Sequence, residues 1–226
     1  MTFHFVTLFP GAFDSYLGES ILKRAIEDKK ISVKFYNPRD YSQTKWARVD
    51  NKPYGGGPGM VIEALPVIKA IAKARAACKG ATKKTAPIIW LTPSGKQFDT
   101  ETAQKFAGSI KTKGKKISTT ELIIVCGRYE GIDARVKKVF KTVDLSVGPF
   151  VLTGGELPAM LIMDCVARQI PGVLGSFDSL EERRVSSADV YTRPETIVYK
   201  GKKLRVPKVL LSGNPKLIDA WKNSLK

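Results

Sequence analysis

The sequence predicts an α/β fold built on a largely parallel sheet. Three observations carry that expectation. Short apolar runs alternate with stretches of helical periodicity along most of the chain. Several of those runs empty into glycine-containing loops, the places where open parallel sheets bind ligands. One helical stretch, Leu157 to about Ile170, is apolar on nearly every side except at Asp164 and Arg168, as befits a helix buried in a core or against a second subunit.

The elements follow in order. FHFVTLF (3–9) is an apolar run ended by Pro10-Gly11 and reads as a buried strand. ESILKRAIEDK (19–29) puts Ile21, Leu22, Ala25 and Ile26 on one helical face, and ISVKFYN (31–37) alternates as a second strand. Residues 38–62 are loop-like and rich in Gly, Pro and Asp. EALPVIKAIAKARAAC (63–78) has helical spacing with lysines on the opposite face. APIIWLT (86–92) is a third strand, TETAQKFAGSI (100–110) a helix candidate and ELIIVCGRY (121–129) a fourth strand. The segment from Val143 opens a fifth strand that runs through a Gly-rich turn into the apolar helix. From Ser176 the character turns polar, suggesting a main domain over 1–175, a flexible linker over 176–190 and a small helical domain over 191–226.

Composition narrows the function. A hydrophobic fraction of 43% suffices for a substantial core, and no apolar run approaches the roughly 18 residues of a membrane span. The N-terminus lacks a charged leader region and reads as a strand and turn, so a cytoplasmic protein is expected. Cys78, Cys126 and Cys165 are odd in number and widely spaced, which argues for small buried hydrophobes over a disulfide framework or zinc pair. His4 is the only histidine, and it sits in an apolar run, so a Ser-His-Asp triad or a multi-histidine metal site is not expected. The net charge is +17, and the stretch Lys69–Lys141 holds 17 basic against 5 acidic residues. Such an excess favours a polyanion through phosphate contacts, without by itself choosing DNA or RNA.

Three loops stand out: TPSGK (92–96), CGRYEGID (126–133) and SVGPFVLTGGELP (146–158). Each follows a strand and could line one crevice. None matches a phosphate-binding GxxxxGK[ST], and NKPYGGGPGM (51–60) lacks the lysine and hydroxyl such a loop needs. None is a GxGxxG between strand and helix either, so nucleotide hydrolase and dehydrogenase readings lose support.

PYGGGPGM, CGRYEGID, VLTGGELPAM, IPGVLG, YTRPE and VLLSGN occur in an order that resembles the bacterial tRNA (guanine-N1)-methyltransferases, the TrmD type among trefoil-knotted SPOUT methyltransferases. The match runs from FVTLFPGAF to VLLSGNPKLIDAW, essentially the whole chain. The resemblance implies a deep trefoil knot in the N-terminal domain, a homodimer, and S-adenosylmethionine held in the knot largely by backbone groups. Carried over, the cofactor residues are Trp90, Leu91, Thr92, Pro93 and Gly95, then Gly127, Tyr129 and Glu130, then Val147, Gly148, Phe150, Leu152, Gly154 and Gly155. Glu130 is also implicated with Mg²⁺.

The implied substrate is tRNA with a guanine at position 37, 3′ of the anticodon; neither DNA nor a membrane is an expected partner. Guanine N1 carries a proton near neutral pH, so methylation there needs a base to remove it and positive charge to stabilise O6. The resemblance assigns Arg168 to the second role and places Asp50 near the guanine; a plain Asp164–Arg168 helix pair is the structural alternative. Three departures from the family pattern stand out. The acidic-Ser-Phe that carries the base is missing from a linker that reads as shortened. Counting from Gly175 favours Glu182 for that role, with Asp178, Glu181 and Asp189 as alternatives. Pro149 and Phe150 stand where Asp and Tyr are usual, and the tail after WKNSLK reads as short. The altered linker leaves open a related knotted enzyme with another RNA target, or a non-catalytic RNA-binding protein.

Overall fold

A computed structural model of the chain describes residues 1–79, 86–108, 111–112, 115–116, 121–175 and 189–224. Two compact units, Met1–Gly175 and Ser176–Lys226, make up the chain.

In the first unit, β1 (Thr2–Val6) leads through a 3-10 turn into the short α1 (Asp14–Leu17) and α2 (Ser20–Glu27), then β2 (Ser32–Tyr36). A two-residue pairing of β3 (Asp50–Asn51) with β4 (Val61–Ile62) brackets the Gly-rich segment. The chain continues through α3 (Ala64–Ala77), β5 (Ile88–Gln97) and α4 (Thr100–Phe106). Lys111–Thr112 and Lys115–Lys116 pair as β6 and β7, and β8 spans Glu121–Val125. Then come α5 (Val136–Val139), β9 (Val143–Ser146) and α6 (Glu156–Ala167).

Five of these strands form one sheet in the order β2-β1-β8-β5-β9, every pairing parallel. Helices cover both faces, which is why its central strands are apolar without alternation. Phe3, Phe5, Leu122 and Ile124 face Leu22 and Ala25 of α2 and Ala159, Ile162, Met163 and Val166 of α6. Val6, Ile123 and Val125 face Val67, Ala70, Ile71 and Ala74 of α3.

The third strand runs further than the sequence suggests. β5 pairs with β9 up to Leu91↔Leu145, leaves for four residues, and returns at Lys96↔Leu145 and Gln97↔Ser146. TPSG is therefore a bulge thrown out of a continuing strand, not the loop that ends one. Its return requires Gly95, since a Cβ there would lie 2.6 Å from the Leu145 backbone.

The start of α6 is fixed to the ends of β1 and β8. Gly155 N–H donates to the Gly127 carbonyl at 2.8 Å, and a Cβ on Gly155 would lie 2.6 Å from Cys126 Cα. Only glycine permits that approach. The next residue, Glu156, is 2% exposed. Its Oε1 accepts from Thr7 Oγ1 at 2.7 Å, and its Oε2 lies 2.8 Å from Arg128 Nε, an ion pair whose angle is poor for a hydrogen bond. Arg128 also covers the Phe9 ring at 4.7 Å.

In the second unit, β10 (Thr196–Tyr199) and β11 (Lys202–Arg205) form an antiparallel hairpin. It turns on Lys200 and Gly201, with φ of 48° and 76°, as a two-residue type I′ turn demands. Helices α7 (Lys208–Leu211) and α8 (Pro215–Asn223) follow, α8 capped by Asn214, whose side chain accepts from Lys216 N–H at 3.1 Å. The expected small helical unit is present, and it also carries this hairpin. The expected 176–190 linker falls almost wholly outside the described residues.

Removing one side of the buried ion pair strands the other's charge. Arg128→Leu should lower the unfolding free energy by about 3 kcal/mol, and Arg128→Leu/Glu156→Leu should recover part of that loss. Urea unfolding followed by circular dichroism checks this; a double variant no more stable than the single one would show that the pair does not hold the junction.

Candidate functional site

A cavity of about 420 Å³ opens at the β5 bulge and at the ends of β8 and β9. Its size falls in the range of small-molecule sites, roughly 300–1,000 Å³. Three loops wall it. Trp90, Leu91, Thr92 and Pro93 come from the β5 bulge, and Gly127, Tyr129 and Glu130 from the turn after β8. Val147, Phe150, Leu152, Gly154 and Gly155 come from the loop between β9 and α6.

Two residues expected with them do not line the cavity. Gly95 is turned into the β5–β9 contact described above. Gly148 is buried under the Phe150 ring, which would lie 2.1 Å from a Cβ there. Both shape the loops from behind: Gly95 closes the bulge, and Gly148 admits the ring that forms part of the wall.

The loops hold one another directly. Arg128 and Gly154 form an antiparallel bridge, beside the Gly155–Gly127 bond. Ser146 Oγ donates to the Gly148 carbonyl at 2.9 Å, bending the third loop at its root. Tyr129, at φ 58°, takes the left-handed conformation within a turn closed by Gly131 N–H to the Arg128 carbonyl at 3.0 Å. Trp90 is capped by the Lys137 ammonium, 4.9 Å from its ring and paired with Asp144. Burial, with Glu156 adding to it, pushes the Cys126 thiol well above its ordinary pKa, so the one cysteine behind this pocket is no thiolate nucleophile.

The Gly-rich segment joins this assembly at its edge. Gly55, Gly56, Gly57 and Gly59 all have positive φ, and Glu130 N–H donates to the Met60 carbonyl at 3.0 Å. A Cβ on Gly59 would lie 2.5 Å from Glu130 Oε1, so that carboxylate packs on the glycine. Tyr54, at the tip, is 99% exposed. Among the described residues Glu130 belongs to no cluster of three or more His, Cys, Asp or Glu side chains within ligand-sharing distance.

Asp50 stands one strand behind the pocket loop. It pairs with Ile62 in β3–β4, and Ile62 N–H donates to the Gly131 carbonyl at 3.0 Å. Its carboxylate lies 3.8 Å from Arg48 Nε. Arg168 is the C-cap of α6, twelve residues from the cavity end of that helix, or about 18 Å along its axis. The Asp164–Arg168 side-chain pair is not formed; Asp164 accepts instead from Tyr16 Oη at 3.0 Å. No acidic side chain among the described residues forms an ion pair with Arg168. Glu182, Asp178 and Glu181 lie outside the described residues, whereas Asp189 is described and exposed.

Arg128, Ile132 and Pro158, which also line the cavity, lie in the loops the sequence marked but were not singled out. Arg128 was readable between two chosen neighbours. The buried pairing of Thr7 with Glu156, 149 residues apart, left no local signal.

Comparison with known proteins agrees with this architecture. A family model described as tRNA (Guanine-1)-methyltransferase TrmD matches residues 1–226. A protein of Geobacter sulfurreducens named tRNA (guanine-N(1)-)-methyltransferase is 44% identical over 230 residues, covering 98% of this chain and 84% of its own length. Proteins of the same name from Clostridioides difficile and Campylobacter jejuni subsp. doylei are 41% and 39% identical, covering 98% and 100% of this chain and 90% and 92% of theirs. The chain therefore belongs to the tRNA (guanine-1)-methyltransferase TrmD family.

Proposed function

We propose that this protein transfers a methyl group from S-adenosylmethionine to N1 of guanine 37 in tRNA, in the cytoplasm, as a homodimer with the family's trefoil knot. The observation that carries the reading is the meeting of three glycine-containing loops in one cavity, in a chain of this family. The residues suit the cofactor: the three loops line the space largely with backbone and apolar surface, the kind of wall that can hold an adenine. When bound, S-adenosylmethionine supplies the electrophilic methyl. Glu130, a lone carboxylate at the rim, suits Mg²⁺, which keeps most of its waters. The surplus positive charge suits an RNA partner.

On this reading Glu182 removes the N1 proton, the Arg168 guanidinium stabilises charge building on O6, and Asp50 lies near the guanine. The distance of Arg168 from the cavity of its own protomer points to a shared site. Leu157 (58% exposed), Leu161 (40% exposed) and Arg168 recur at spacings of four and seven and so share one face of α6. Two copies of that face meeting antiparallel about a two-fold axis would carry Arg168 of one protomer to the Leu157 end of its partner's helix. That end begins at Gly155, the wall of the cavity.

Purified protein given S-adenosylmethionine should methylate a tRNA transcript with guanine 37 and leave an adenine-37 transcript untouched. Efficient transfer to the latter would sink the assignment. Glu182→Ala should reduce turnover by about 10²–10⁴-fold with little change in cofactor affinity. Normal turnover in that variant would move the base to Asp178, Glu181 or Asp189. Arg168→Ala and the cavity-filling Leu152→Trp should each be inactive alone, yet active when co-expressed, because a mixed dimer retains one intact site. Co-expression that restores nothing would confine Arg168 to its own protomer.

A further inference from the structure

At the opposite end of β8 from the cavity, three side chains with metal-binding atoms converge. His4 comes from β1, Cys78 caps α3 and Glu121 opens β8. All are buried, with 0%, 5% and 4% exposure. His4 Nε2 lies 3.8 Å from Cys78 Sγ and 3.7 Å from Glu121 Oε2, and the three ligand atoms all fall within 4.8 Å of one another. A tetrahedral zinc ion holding nitrogen, sulfur and oxygen would set the two separations from His4 Nε2 at about 3.6 and 3.3 Å, each a few tenths of an ångström shorter than found.

The surroundings complete the case. His4 Nδ1 lies 2.9 Å from Tyr36 Oη. With Nδ1 donating to that oxygen, Nε2 presents its lone pair towards Cys78 and Glu121, the arrangement by which outer partners orient metal-bound histidines. Lys79 N–H donates to both Glu121 oxygens at 3.2 Å and fixes the carboxylate. A neutral imidazole, a thiolate and a carboxylate around a dication sum to no net charge, which suits a dry interior.

We propose that His4, Cys78 and Glu121 form a structural site for a borderline-soft divalent cation of the Zn²⁺ class, separate from the methyl-transfer pocket. Binding displaces the Cys78 thiol proton, now directed at the Ala74 carbonyl 3.5 Å away, and releases it to solvent. The sulfur then joins the metal. The ion ties the first strand, the end of α3 and the start of β8 together at one point. A nitrogen–sulfur–oxygen set with one thiolate selects Zn²⁺ or Co²⁺ over Mg²⁺.

Chelator-stripped full-length protein titrated with one equivalent of Co²⁺ should develop a thiolate-to-cobalt charge-transfer band, and Zn²⁺ should abolish it and raise the melting temperature. Cys78→Ser should lose the band and Cys165→Ser should keep it. Tyr36→Phe should weaken Co²⁺ binding by about 10- to 100-fold while the far-ultraviolet circular dichroism stays unchanged. Should Cys78→Ser not fold, His4→Gln, with loss of the band, stands in for it. A wild-type protein without the band, or a band that survives Cys78→Ser, or a Tyr36→Phe affinity equal to wild type, would overturn the site.

Discussion

The structure depends on one close approach, that of Gly155 to the backbone of Cys126 and Gly127. At that point the end of the central strand and the start of the apolar helix touch without an intervening side chain. The cavity lies beside the contact, and two of its three walls are the segments that make it. A side chain at residue 155 would push α6 off β8 and open the loops together. The constraint is steric, so no flanking residue can substitute for it.

Glu156 extends the constraint electrostatically. Its carboxylate sits in the first turn of α6, where the helix dipole favours negative charge, and it is met by Arg128 and by the Thr7 hydroxyl at the end of β1. Three elements far apart in sequence are thereby registered at the mouth of the pocket. The wall they support is mostly backbone and apolar surface. A pocket of that kind can hold and orient a cofactor; among the described residues its charged lining side chains are Arg128, already paired with Glu156, and Glu130. Of the charged residues that the family resemblance marks out, Glu130 lines that wall, whereas Arg168 and Asp50 belong to segments outside it.

Much of this was legible in the sequence because local pattern and global packing agree. Val6, Ile123 and Val125 form apolar strand residues and pack against the periodic face of α3, as their spacing predicts. The order of strands was not legible, since nothing local says that β8 inserts between β1 and β5. The bulge at TPSG was misjudged because a glycine and a proline after a strand usually end it, whereas here Gly95 lets the strand resume against Leu145. The β10–β11 hairpin was missed because Lys200 occupies a turn position where asparagine or glycine would have signalled φ > 0. His4 read as a core histidine, and its partners Cys78 and Glu121 are 74 and 117 positions away, so only the fold could bring them together.

The composition of α6 is explained by two demands on one helix. Ala159, Ile162, Met163 and Val166 are fully buried against the sheet, which accounts for one side. The exposed leucines on the other side are not what an isolated protomer needs, because a solvated face is normally polar. A second copy of the same face would satisfy them, and it would do so without adding charge between the two helices. Such a pairing permits a cation only at the end of the stripe, where Arg168 leaves the apolar stretch and has no acidic partner among the described residues of its own chain. The helix thus carries its charged side chains in its first and last turns, Glu156 turned inward at one end and Asp164, bonded to Tyr16, with Arg168 at the other. On the proposed pairing, exchanging a leucine of its midsection for a lysine would spoil the shared face.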